Sequence, residues 1–323
     1  MKRKEHNNHL TVNLPAPPNS WNALTERQLI DIHELMASGM TETEYKLKAL
    51  LTLLDLEVLK RAEKQDDGTF TYSFRRRGWK HRNERLGMQS WEVCCWIDRY
   101  LRFLDEPFRL TRLPFQHIKI GRKKFKAPDA LMMNLTYEQF GNAQRYLVAF
   151  WDASRMVDSL QRNGASIEAL LNAESQALGF QAGFLAHMYV SCSWRIFEQR
   201  SGMTCLKPSR VYTYNSEEAE RNVGYFRTAP RWMFDVTYQF FQSSLTIYKR
   251  DFEHLFKEYD DENGKSALVM EIDTLNAVMK YAGYTDQQTV YESNVGFIFG
   301  FLNSMSHEAE EIEKMNTRIK SKK

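Results

Sequence analysis

The chain has 323 residues, 43% of them apolar and 26% charged, with a formal net charge of +3. That apolar fraction supports a sizeable core and excludes wholesale disorder, a collagen-like chain or a low-complexity chain. The longest apolar run, Val295 to Leu302, falls well short of the ~20 residues of a membrane-spanning helix, so no membrane partner is expected.

Residues 1–20 are polar and then proline-rich (Pro15, Pro17, Pro18), which predicts a flexible arm. Met1 to His9 is basic with no apolar segment behind it, so no secretory signal is expected. Order should begin at Trp21. Thr25 and Gln28 form a capping box between staple residues Leu24 and Leu29, predicting a helix to about Ala37 that Gly39 ends. Thr41 and Glu44 repeat the box. Behind them Tyr45, Leu47, Leu50, Leu51, Leu54 and Val58 recur at helical spacing, which predicts a buried second helix. Asp66-Asp67-Gly68 signals a turn, after which Phe70, Tyr72 and Phe74 alternate with Thr69, Thr71 and Ser73. A period of two predicts a short strand. Ile118 and Ile120 alternate in the same way before Gly121, so residues 116–125 offer it a partner. Between the two, Ser90 to Leu104 reads as a helix. Pro107, Pro114 and Pro128 punctuate the region, and a domain boundary is placed near Ala127. The expected organisation is an arm over 1–20, an N-terminal α domain with a β-hairpin over 21–126, and a C-terminal helical domain over 127–323.

Leu135-Thr136-Tyr137-Glu138-Gln139-Phe140 repeats the staple, cap and box of the first helix and predicts a helix to about Leu160. Further helices are expected near Ile167 to Leu171, Phe180 to Gln199, Glu217 to Tyr225, Arg231 to Phe256, Ala267 to Tyr281 and Gln287 to Met305. Pro230 is placed at a first helical position, and Thr285 with Gln288 offers another box. Phe234, Tyr238, Phe240, Phe241, Tyr248 and Phe252 sit nearly all round one helix, which is either central to a bundle or exposes an interface. Glu308 to Lys323 reads as a charged, fraying terminal helix. The fold class is mostly α: a helical bundle with a small β-hairpin excursion near residues 69–125.

Charge is uneven. Arg61 to Lys126 holds 17 Lys/Arg against 8 Asp/Glu, and Glu253 to Glu313 holds 3 against 13. Such polarity can steer association with a polyanion or stack copies of one protein head to tail. Within the basic half, Arg75, Arg76, Arg77, Trp79, Lys80, Arg82 and Arg85 follow the aromatic strand, and Arg122, Lys123, Lys124 and Lys126 form a second cluster. If the two strands pair, both clusters emerge at one end of a hairpin and make a partner-binding surface. Cations that track phosphates beside aromatics that stack bases would also suit nucleic acid, although no helix-turn-helix or RRM signature is present.

Patterns for catalysis and cofactors are missing. The four cysteines are too few for a disulfide framework and are expected as reduced thiols. Cys94 and Cys95 are adjacent and point apart on a helix, and His187 with Cys192 makes no ligand set. His307-Glu308 begins like HExxH, but Glu stands at 311, and no Glu-x-x-His pair is present. GxxxxGK[ST], GxGxxG and GxSxG are absent, and Asp260-Asp261-Glu262 reads as a solvated loop. No catalytic residue, cofactor or metal is therefore expected, and the protein is read as a non-enzyme.

Four aromatic segments in order resemble one group of proteins: Leu135 to Phe140, Phe184-Leu185-Ala186-His187-Met188-Tyr189, Phe240-Phe241-Gln242-Ser243-Ser244-Leu245 and Phe252-Glu253-His254-Leu255-Phe256. The group comprises tail-region proteins of phages and prophages of Bacteroidetes-type bacteria, and the resemblance spans residues 15–305. It implies a non-enzymatic role in tail morphogenesis: an assembly chaperone coating the tape-measure helix, or, given a length above that of the usual small tail chaperone, a connector or other virion component. The implied partners are other phage tail proteins and further copies of the chain. The implied location is the cytoplasm of the bacterial host or the virion. The alternative is a nucleic-acid-binding protein of a mobile element working through residues 75–126.

Overall fold

A computed structural model describes residues 16–64, 70–77, 86–191, 193–197, 207–211, 213–256 and 267–320. Two compact units divide between Leu110 and Thr111, earlier than the expected boundary near Ala127. Residues 16–20 are irregular, and the rest of the predicted arm lies outside the described residues.

In the first unit, α1 (Glu26–Ala37) starts where the sequence predicts. Thr25 accepts from the Gln28 amide at 3.3 Å and Gln28 returns the contact to the Thr25 amide. Gln28 Nε2 also donates to the Leu53 carbonyl at 3.1 Å, tying the start of α1 to the end of α2 (Glu42–Leu53). Leu29, Ile32, Leu50 and Leu53 are buried between them. The helix expected to reach Val58 stops at Leu53. Asp55, at φ 54°, turns the chain into β1 (Leu56–Lys64), a strand that helical spacing alone does not reveal. β1 pairs antiparallel with β2 (Phe70–Arg76), and β2 with β3 (Leu86–Gln89). The predicted strand is real, but its partners are β1 and β3 rather than residues 116–125. Phe74 is buried, and Phe70 at the other end is exposed. α3 (Ser90–Tyr100) gives way to a 3-10 turn at Arg102–Leu104, so the helix expected to Leu104 is shorter.

In the second unit, β4 (His117–Ile120) and β5 (Lys123–Lys126) form their own hairpin, with Gly121 at φ 56° opening a two-residue turn. Seven helices follow among the described residues: α4 (Tyr137–Arg162), α5 (Ile167–Met188), α6 (Ser216–Phe226), α7 (Arg231–Asp251), α8 (Ala267–Ala282), α9 (Gln287–Glu292) and α10 (Val295–Lys320). α5 joins two predicted helices into one and ends at Met188. The residues expected to continue it instead form β6 (Val190–Ser191), which pairs with β5, and β7 (Ser193–Phe197), which pairs with β8 (Lys207–Val211). Pro230 caps α7 rather than opening it, and α9 is capped by Asp286 on the Thr289 amide, not by Thr285. The charged C-terminal stretch is helical, as expected, and continues α10 through Lys320. The architecture is mostly α with small antiparallel sheets, and no described helix is long and apolar enough to cross a membrane.

α7 packs one face of its aromatics into the core of this unit and leaves the rest, Tyr238 and Phe252 among them, only partly covered. Phe234, Phe240 and Phe241 are buried, and Phe184 of α5 meets Phe234 and Phe241 edge-on, at 5.7 Å each. Phe140 of α4 stacks on Phe241 at 5.4 Å. The starts of α4 and α10 are stitched together: Tyr137 donates its amide to the Ser293 carbonyl and Val295 to the Leu135 carbonyl. Asn294 donates to the Met133 carbonyl and caps α10 through the Gly296 amide at 2.9 Å.

Candidate docking groove and buried polar clamp

α4, α7 and α10 enclose an open groove of about 1100 Å³. Its apolar lining is Phe140, Val148, Leu245, Phe256, Phe299 and Leu302, and Glu138, Arg145, Asp152 and Lys249 supply charges of both signs. The α4 wall runs from Tyr137 to Asp152, about 22 Å at 1.5 Å per residue, or four helical turns. Gly141 opens one point of that wall, since a Cβ there would meet nothing within 4 Å. Val148 is exposed on this wall, leaving apolar surface for a partner.

Beside the groove, α4, α5 and α6 are joined by a polar clamp around His187, which is 1% exposed, while its partner Glu220 is half exposed. Its Nε2 lies 3.1 Å from Glu220 Oε1 and its Nδ1 2.6 Å from the Tyr214 hydroxyl. A carboxylate can only accept, so the proton sits on Nε2 and Nδ1 accepts from Tyr214. Tyr214 accepts in turn from Asn142 Nδ2 at 3.0 Å, and Tyr146 donates to Glu220 at 2.7 Å. The Tyr146 ring stacks on the imidazole with centroids 5.1 Å apart. Tyr146 fits there because residue 183 is glycine: a Cβ at Gly183 would come within 2.2 Å of the ring. Gln139, which the sequence assigns to a capping box, donates its side-chain amide to the His187 carbonyl at 2.8 Å instead.

Burial pushes the His187 imidazole below its ordinary 6.5 despite the neighbouring carboxylate. Burial, reinforced by the Glu220 hydrogen bond and charge, raises the Tyr146 phenol to about 12, and burial raises Tyr214 further. At neutral pH the clamp is a neutral imidazole held between the Tyr214 hydroxyl and the Glu220 carboxylate, with the Tyr146 phenol on the same carboxylate. Its chemistry is that of holding three helices in register.

The predicted basic residues divide between the two units. Arg75 is bound to Glu57 across the β1–β2 pair, Arg76 is half-buried, and Arg77 is exposed. Trp79, Lys80, Arg82 and Arg85 lie outside the described residues. Arg122, Lys123, Lys124 and Lys126 sit on the β4–β5 hairpin, so one hairpin does not carry both clusters. Lys123 turns inward, donating to Asn222 Oδ1 at 2.9 Å and lying over the Tyr225 ring. Lys126 pairs with Asp129 at 3.5 Å. On the hairpin, exposed cations remain at Lys119, Arg122 and Lys124, with Lys119 directly opposite Lys124.

Sequence reasoning did not find the clamp. His187 falls inside one of the aromatic segments, but its partners come from two other helices and a loop. Among the described residues, His254, His307 and Glu310, whose side chains could ligate a metal, also converge. Comparison with known proteins finds no family model, no curated protein and no solved structure that matches the chain.

Proposed function

We propose that this is a non-enzymatic interaction protein that receives an amphipathic helix of a partner in the α4–α7–α10 groove. The observation that carries the reading is the groove itself. It has the length of four helical turns, an apolar lining for one helix face and charges of both signs at its edge. The resemblance of its aromatic segments supplies the setting: tail morphogenesis of a phage or prophage, with the tape-measure helix as occupant. Phe140 and Phe299, which line the groove, belong to the core that fixes the α4 and α10 walls. The site is therefore preorganised, and binding costs little reordering.

Gly141 gives a clean test. Gly141→Phe fills open space at the groove wall and should leave folding intact, because replacing a mid-helix glycine even by Phe gains roughly a few tenths of a kcal/mol in helix propensity. Co-expressed with a phage tape-measure protein, the parent chain should co-purify at fixed stoichiometry and the variant should not. Equal retention of the partner by a folded variant would refute the groove.

Nucleic-acid binding by a mobile-element protein is the competing reading, and the exposed Lys119, Arg122 and Lys124 favour it. Such binding would weaken steeply, by about 10³-fold for many phosphate contacts, between 50 and 200 mM salt. The pairing of Arg75, Lys123 and Lys126 within the protein weighs against it.

A further inference from the structure

We propose that His254, His307 and Glu310 form a binding site for a divalent transition-metal ion of the zinc class. His307 and Glu310 stand three residues apart on α10, so their side chains leave the same face. His254 comes from the turn after α7 and meets that face. Its Nδ1 is 3.2 Å from Glu310 Oε2, and its ring lies against that of His307 with centroids 4.5 Å apart and planes at 14°. One ligand atom from each of the three lies within 4.8 Å of the other two. Metal–nitrogen and metal–oxygen bonds of about 2.0–2.2 Å place donors around one ion about 3–4 Å apart. Closing the site requires the two rings to tilt out of their stack so that their in-plane lone pairs converge on the ion.

The donor set selects the ion. Two imidazoles and one carboxylate suit zinc and its first-row neighbours, whereas calcium and magnesium take oxygen ligands. The surroundings already hold the ligand backbones. The Leu255 amide donates to Asn303 Oδ1 at 3.1 Å, fixing the His254 turn to α10 one helical turn before His307. Phe252 and Phe256 on the same turn pack against Phe299. Glu253 Oε1 stands 3.7 Å from His254 Nε2, where it can orient the imidazole as carboxylates commonly do behind metal-bound histidine. Access is open on one side, because His307 is exposed while the Glu310 side chain is 13% exposed. Three protein ligands leave a fourth position for water or for a partner's side chain. Leu255 and Phe256 also line the groove, so a bound ion would brace its wall.

The test uses the full chain stripped with chelator and titrated with zinc chloride or cobalt chloride alone. One ion should bind per chain, and cobalt should develop the visible absorption of a low-coordinate nitrogen–oxygen site. His307→Ala and Glu310→Gln should each weaken binding by more than about 100-fold and abolish the zinc-induced rise in melting temperature. The exposed position of His307 should leave the melting of metal-free His307→Ala unchanged, which separates lost ligation from lost folding. The proposal is overturned if the parent chain takes up no ion, if both variants bind like the parent, or if magnesium displaces cobalt at equal concentration.

Discussion

At His187 the cost of desolvation outweighs the attraction of Glu220, so the folded imidazole binds a proton less readily than the unfolded one. Between its lowered folded value and the ordinary 6.5, the unfolded chain carries more protons than the folded chain. The contribution of this residue is therefore fully present above pH 6.5 and is lost as the pH falls below it. Unfolding free energy measured by urea between pH 7 and 5 should decline more steeply in the parent than in His187→Gln. Parallel profiles would show that the imidazole is protonated equally in both states. None of this was readable from position 187 in the sequence. A histidine within an apolar segment reads as core, and the carboxylate, phenols and amide that surround it come from residues 142, 146, 214 and 220.

Helix starts were the most legible elements, because a cap is local chemistry. Thr25, Thr41 and Thr136 each accept from the amide three residues on, as their spacing predicts. Where the chain stops being helical was less legible. Leu54 and Val58 continue a helical period, yet Asp55 turns the chain and Val58 pairs with Phe74. α5 likewise yields to β6 because β5 stands ready to pair with it. Propensity cannot anticipate a partner strand that is distant in sequence. Close approach between elements is equally hidden. Gly183 looks like a helix-weakening residue, but it is the point at which α5 admits the Tyr146 ring of α4. Gly183→Ala should therefore destabilise the protein by about 1–3 kcal/mol through overpacking, against the smaller gain in helix propensity. A urea midpoint that rises instead would mean that the ring moves aside freely.

Across the whole molecule the charge polarity remains a property of the sequence, while the structure decides which charges are free to act. Arg75, Lys123 and Lys126 are engaged within the fold, whereas Lys119, Arg122 and Lys124 face outward on the hairpin. Reversing those three to glutamate should change stability by no more than about 0.5 kcal/mol, as for other surface positions, and leave groove binding intact. Loss of the helical partner in that variant, followed by co-purification, would move the docking site to the hairpin. The sequence by itself determined the helical class, the caps, the short aromatic strand and the uneven charge, because these depend on neighbours within one or two turns. Only the tertiary structure decided the strand partners, the clamp around His187, the groove and the meeting of His254 with His307 and Glu310. Each of those joins groups far apart along the chain, and their energies come from burial and geometry that exist only once the helices have packed.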